Sequence, residues 1–294
     1  MKILNFGSLN IDYVYQVDHM VRPGETLASL KRDIHCGGKG LNQSLALSKA
    51  GGSVWHAGLI GGDGLFLKEL LERGGVHTEW IRVIPESTGH TVIQVDRTGQ
   101  NSILLYGGAN QRITESYADE VLAQFGSGDI LILQNEICCL PYIMENAGKK
   151  GMRIVLNPSP LSEQLERCDM NLVSLFVLNE TEGRQLTGGK SPEEILDELG
   201  TRFPKAAAVL TLGREGSVWQ YGGERVKQEA FSVRAVDTTG AGDTFTGYLT
   251  AMLAEGKPVR AAMRAAAMAA AISVTRPGAA ASIPERQEVE AALV

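Results

Sequence analysis

Aromatic residues are scarce in this sequence, at 6% of 294, and there are only four cysteines, Cys36, Cys138, Cys139 and Cys168. The cysteines form no C-x-x-C pair and no matched Cys/His spacing, which argues against a zinc site and a disulfide framework and fits a reducing compartment. Positive charge is short too. Against 34 Asp plus Glu stand 28 Lys plus Arg, so the net charge of −6 offers no broad basic surface for a nucleic-acid backbone or an anionic membrane. A small anionic ligand stays open, because backbone amides hold phosphate whatever the global charge. The most apolar stretch, Ala261 to Ile272, is interrupted by Arg264 and is too short to span a bilayer. Met1 to Gly7 lead into strand-like sequence with no basic leader, so a cytoplasmic location is expected, with neither membrane nor nucleic acid as partner. No G-x-x-x-x-G-K-S/T occurs, and Gly7 is followed by Ser8 and Leu9 where a dinucleotide fingerprint needs further glycines, so P-loop and dinucleotide readings both fail.

What is present is an alternation of short apolar runs and amphipathic stretches. Lys2–Gly7, Val54–Leu59, Ile130–Leu133, Arg153–Leu156, Leu175–Leu178 and Ala208–Leu212 read as buried strands. Leu41–Ala50, Gly64–Arg73, Ser116–Gln124, Leu140–Lys150, Ser191–Phe203, Thr244–Glu255 and Val259–Thr275 read as helices between them. The pattern predicts an α/β fold, a three-layer α/β/α core around a mostly parallel sheet. Residues 11–34 and 90–107 break the rhythm with strand-like alternation around turns at Arg22-Pro23-Gly24-Glu25 and Asp96-Arg97-Thr98-Gly99. They predict a small second sheet growing as a lid from a single domain spanning 1–294. Such a sheet either covers a site or hides an apolar face against another copy.

The strongest chemical signal is Val236-Asp237-Thr238-Thr239-Gly240-Ala241-Gly242-Asp243-Thr244-Phe245, lying ahead of an Ala-rich helix. Gly240, Ala241 and Gly242 let the backbone approach a ligand, and free amides at the helix start suit a phosphoryl group. Asp243 would lie beside that anion hole, placed to take a proton from an attacking hydroxyl. Taken alone, G-x-G-D also reads as a plain helix cap. Asn10 and Asp12 offer an amide and a carboxylate for neighbouring hydroxyls, although N-x-D after a strand is also turn chemistry. Glu136 follows an apolar strand at the end where open α/β sheets gather ligands, or is a solvated strand-end acid.

These segments together resemble the ribokinase-like carbohydrate kinases, the PfkB family. The resemblance rests on Gly37-Gly38-Lys39-Gly40-Leu41-Asn42-Gln43, on the 236–245 segment, and on Gly7-Ser8-Leu9-Asn10-Ile11-Asp12, Pro23-Gly24-Glu25-Thr26, Asn157-Pro158-Ser159-Pro160, Asn179-Glu180-Thr181-Glu182 and Thr211-Leu212-Gly213, in the family's order along nearly the whole chain. It implies ATP-dependent phosphorylation of a primary hydroxyl, with Asp243 as base and the 239–242 amides stabilising the moving phosphoryl. Asn10, Asp12, Gly38, Lys39, Asn42 and Glu136 are implied to bind the sugar. Asn179, Thr211, Gly213 and Gly216 are implied on the nucleotide side, with Glu182 near a magnesium-bound water network. The resemblance further implies Mg²⁺ and a monovalent cation, K⁺, held by Asp237, Thr239, Ser273, Arg276, Gly278 and Ser282 mostly through backbone carbonyls, and a homodimer built through the lid sheets. Within the family the ribokinase branch fits best, so ribose converted to ribose 5-phosphate is the first expectation. Gly240 where that branch commonly has Ala, and His90 and Thr91 where it has small apolar residues, leave fructose, ketodeoxygluconate and nucleosides open. A non-catalytic sugar-binding protein on the same fold is the alternative of another class.

Overall fold

Runs such as Ile3-Leu4-Asn5-Phe6 and Ile130-Leu131-Ile132-Leu133 are apolar at consecutive positions, which suits strands covered on both faces. In the computed structural model, which describes residues 1–294, Ile3, Ile130 and Ile132 pack into one buried cluster while Leu4, Phe6, Leu131 and Leu133 pack into another. The main sheet therefore divides two cores.

The chain opens with β1 (Ile3–Phe6), leaves for a second sheet with β2 (Asn10–Gln16) and β3 (Lys31–Gly37), and returns through α1 (Lys39–Lys49). There follow β4 (Val54–Ile60), α2 (Leu65–Arg73) and β5 (His77–Val83), then a second excursion, β6 (Gly89–Val95) and β7 (Asn101–Tyr106). Helices and strands alternate through α3 (Glu115–Leu122), β8 (Ile130–Gln134), α4 (Leu140–Lys149), β9 (Arg153–Asn157), β10 (Val173–Asn179), α5 (Glu180–Thr187), α6 (Pro192–Arg202) and β11 (Ala207–Thr211). A hairpin, β12 (Ser217–Tyr221) and β13 (Glu224–Gln228), precedes α7 (Ala241–Ala254), α8 (Val259–Ser273) and α9 (Arg286–Ala292).

The nine-stranded sheet runs β13-β12-β11-β10-β9-β8-β1-β4-β5, parallel except for the antiparallel pairs β11/β12 and β12/β13. Buried side chains of α1, α2, α7, α8 and α9 join one core, and those of α3, α4 and α6 the other, giving the three layers. β1 lies between β4 and β8, where the strand order reverses and ligands of open α/β sheets gather at the strand C-termini. The second sheet runs β3-β2-β6-β7, with β2 and β6 parallel and both outer pairs antiparallel. Its strands span Asn10–Gly37 and Gly89–Tyr106, within three residues of the two segments read as a small second sheet. β5, β12, β13, α5 and α9 were not expected, and α7 starts at Ala241 rather than Thr244 because Gly240, at φ 74°, caps it in the left-handed conformation that glycine tolerates.

Candidate active site

The α7 N-terminus brings Asp243 to the third helical position, 6% exposed and open to a cleft of about 240 Å³. The amides of Gly240, Gly242 and Asp243 make no hydrogen bond within the protein. The expected anion hole over 239–242 needs one correction. Thr239 N donates to Asp237 Oδ1 at 2.9 Å, and Ala241 N to Thr238 O at 3.3 Å, so the turn itself engages those two donors. A Cβ on Gly242 would meet nothing within 4 Å, which leaves the space that a closely approaching anion requires.

Both Asp243 oxygens accept from α1. Asn42 Nδ2 donates to Oδ2 at 3.1 Å and Gln43 Nε2 to Oδ1 at 2.9 Å. α1 gets close because Gly40 packs backbone against backbone on the end of β1; a Cβ there would lie 2.7 Å from Gly7 Cα. Asn42, expected on the sugar, here orients the carboxylate, and Gln43, although within the 37–43 segment, was given no role by the sequence.

The second sheet supplies Asn10 and Asp12, both on β2. Asn110 Nδ2 donates to Asn10 Oδ1 at 2.7 Å, leaving the Asn10 amide nitrogen without a protein partner. Thr91 Oγ1 donates to Asp12 Oδ1 at 2.6 Å, leaving Oδ2 to accept. One free donor and one free acceptor, two residues apart on the same face of β2, match adjacent hydroxyls. Burial pushes the Asp12 carboxyl up, and the Thr91 hydrogen bond only partly offsets it.

Gly38, at φ 94°, turns the chain from β3 into α1. Lys39 N then donates to Glu136 Oε2 at 3.0 Å, and Ser8 Oγ donates to the same oxygen. Burial raises the Glu136 pKa, with the Lys39 charge opposing. Lys39 is half-buried and lines the same cleft as Asp243 and Glu182; desolvation lowers its pKa, but the charges of Asp243, Glu136 and Glu182 outweigh that and the net shift is upward. A cation lining the same cleft as the free amides adds to the pull on an anion.

Asn179, Glu182 and Thr211 line the same cleft as Lys39 and Asp243. Asn179 and Glu182 form a reciprocal capping box at the start of α5, at 2.9 and 3.0 Å, which leaves Glu182 Oε1 unengaged. Gly213 and Gly216 follow Thr211 but do not line it; Gly216, at φ 98°, is required by its backbone, since a Cβ would overlap the Gln228 carbonyl. Asp237 clips two loops: Oδ1 accepts from Thr239 N and Oγ1, and Oδ2 from Gly278 N at 2.8 Å. Burial pushes its carboxyl up, but these bonds prevail and its pKa is lowered. The carbonyls of Thr239, Arg276 and Gly278 accept no hydrogen bond. Ser273 and Ser282 are buried with hydroxyls turned to Ala270 O and Ala279 O, and the Arg276 guanidinium pairs with Glu288, so these side chains are engaged elsewhere. A larger surface cleft between α6 and β12, about 530 Å³, holds Arg225 and Asp197, which pair with each other.

A family model described as pfkB family carbohydrate kinase matches residues 1–286. A Haemophilus influenzae protein named ribokinase is 37% identical over 96% of this chain and 95% of its own. A Salmonella typhi protein named deoxyribokinase is 32% identical over 98% and 97%. The structure of an Arabidopsis thaliana ribokinase complexed with ribose and ATP superimposes with a TM-score of 0.89 at 30% identity, covering 99% of this chain and 98% of that one. With its ordered motifs, its two sheets and the Asp243 cleft, the chain belongs to the PfkB family of carbohydrate kinases.

Proposed function

We propose that the protein transfers the γ-phosphoryl group of ATP to the primary hydroxyl of ribose. The observation that carries this reading is Asp243 held by two amide donors at the mouth of three unengaged helix-start amides, with Lys39 beside it. Asn10 Nδ2 and Asp12 Oδ2 hold the sugar ring by adjacent hydroxyls. Asp243 accepts the proton of the attacking hydroxyl, while the amides of Gly240, Gly242 and Asp243 and the Lys39 ammonium stabilise charge on the moving phosphoryl. Asn179, Glu182 and Thr211 face the nucleotide side. The lid closes over the sugar and excludes water. The names of the Haemophilus and Arabidopsis proteins support ribose; the Salmonella relative's name favours deoxyribose as the second acceptor.

Two ions fit the residues present. Glu182 Oε1 is free to hold a magnesium-bound water, and Mg²⁺, when bound with the nucleotide, would supply charge neutralisation. The unpaired carbonyls of Thr239, Arg276 and Gly278, beside the Asp237 carboxylate, form a donor set suited to K⁺, with Ser273 and Ser282 contributing only through their backbone. β7 is exposed at every residue, with Ile103 and Leu105 on one face and Leu104 and Tyr106 on the other, and we assign it to a dimer contact between lids.

The test is a coupled assay of ADP release with ribose, deoxyribose, fructose, ketodeoxygluconate and nucleosides, each with potassium and with sodium. Ribose is expected to give the highest kcat/KM, raised further by potassium. Equal rates with and without every acceptor would overturn the reading.

A further inference from the structure

An amide side chain has a donor end and an acceptor end of nearly equal shape, so a half-turn of Gln43 would present Asp243 with an acceptor oxygen instead of a donor. A buried chain of amides sets the direction. Asn5 Nδ2 donates to Gly40 O at 2.8 Å, and a carbonyl can only accept, so Asn5 Oδ1 must face the other way. There it accepts from Gln134 Nε2 at 3.1 Å, and the same nitrogen donates to Gln43 Oε1 at 2.7 Å. That leaves Gln43 Nε2 to donate to Asp243 Oδ1 at 2.9 Å and to Asn157 Oδ1 at 3.2 Å. Asn157 is oriented independently, because its Nδ2 donates to the Val177 carbonyl at 2.9 Å. Asn5, Gln43 and Gln134 are at most 1% exposed, so no water competes for these bonds.

We infer that Gln43 is a positioning residue for phosphoryl transfer, and that Asn5 and Gln134 fix its polarity from the Gly40 carbonyl. The chain runs from the end of β1 and β8, at the reversal of strand order, through α1 to the base on α7. A reversed Gln43 would set Oε1 against the oxygens of both Asp243 and Asn157 and Nε2 against Gln134 Nε2, so every contact opposes reversal. With Oδ1 held by Gln43 and Oδ2 by Asn42, the carboxylate plane is fixed in a residue that lines the cleft. The inference rests on Asp243 being the base.

Steady-state kinetics of Gln43→Met, Gln134→Glu, Gln134→Met and Asp243→Asn test it, with thermal melting to establish folding. Loss of the positioning bond in Gln43→Met is expected to lower kcat by about 100-fold, with the KM for ribose and ATP within about threefold of native. Gln134→Glu replaces a donor by an acceptor, turns the Gln43 amide over, and lowers kcat by about tenfold or more although residue 134 touches neither Asp243 nor, on our reading, either substrate. Gln134→Met, which removes the donor without imposing reversal, is expected to lose less. Gln43→Glu keeps the volume and covers the case in which Gln43→Met does not fold. It must share a proton with Asp243, so its kcat should climb with pH above neutrality more steeply than native. Lys39 on α1, Glu136 after β8 and Glu182 on α5, the other charged groups around Asp243, are unchanged in that comparison. Native kcat in Gln43→Met or Gln134→Glu, a rise in KM alone, or a native pH profile in Gln43→Glu overturns the inference while Asp243→Asn still loses turnover. Full turnover in Asp243→Asn overturns the base assignment instead.

Discussion

Thr91 on β6 and Asp12 on β2 are register partners across a parallel strand pair, and the hydroxyl of one donates to the carboxylate of the other at 2.6 Å. The bond spends one Asp12 oxygen and aims the second. Thr91→Val keeps the shape and removes the donor. The KM for ribose should rise by about tenfold, the scale of a hydrogen bond to a charged group, with kcat within about twofold. Because Thr91 holds down a carboxyl that burial pushes up, the KM defect should widen as pH is lowered. Unchanged KM across the pH series contradicts this role.

Glu136 gives a stability prediction with a definite sign. Its pKa is raised by burial in the folded protein despite Lys39, so the folded state holds this proton more tightly than the unfolded chain. The stability tied to that proton is fully present below the ordinary glutamate range and is lost as pH rises through the elevated value. Glu136→Gln keeps an acceptor for the Lys39 amide and never ionises. Its melting temperature should exceed native at pH 7 and lose that advantage near pH 4, while the KM for sugar rises. A lower melting temperature at pH 7 than native refutes the sign.

Gly40 tests how α1 is held. A methyl group there meets the Ser8 amide and Gly7 backbone, with no flexible side chain to yield. Gly40→Ala should cost about 3 kcal/mol, at the upper end for overpacking, and lower kcat because Lys39, Asn42 and Gln43 move with the helix start. Denaturant unfolding measures the cost, and a loss under about 0.5 kcal/mol, the range of an ordinary surface substitution, would show the contact to be slack.

The lid edge predicts an oligomeric state. Leu104 is 70% exposed on β7, so lysine there disturbs no core. Light scattering should find a dimer for the native chain and a monomer for Leu104→Lys at micromolar concentration. Identical masses would remove β7 from the contact.

The parallel core was legible because its strands are covered on both faces and carry unbroken apolar runs, as in Ile130–Leu133. β5 was not, because His77-Thr78-Glu79-Trp80-Ile81-Arg82-Val83 is an edge strand that buries only Thr78 and Ile81 and so carries no continuous apolar run. The β12–β13 hairpin is half exposed for the same reason, although Gly222-Gly223 between its strands was a readable turn signal. α5 buries only Gly183, so it has no apolar stripe to detect. In the site, residues within motifs were visible: Asp243, Lys39, Asn179 and Thr211 share one cleft. Gln134 and Asn5 were not, because amides carry no spacing signature and their partners lie 91 and 129 residues away along the chain. Asn110 was not visible either, because its bond to Asn10 crosses 100 residues. The engagement of the Thr239 amide by Asp237 is two residues away and could have been read as an Asx turn.

The most direct measurement is kcat and sugar KM for Asp243→Asn, which keeps the shape and an acceptor for one of the two α1 amides but cannot take the hydroxyl proton. The account predicts a fall in kcat of about 10³-fold with KM for ribose within about threefold. Turnover within about tenfold of native, in a folded variant that binds ribose, would contradict it, since general-base catalysis is worth at least about 10²-fold.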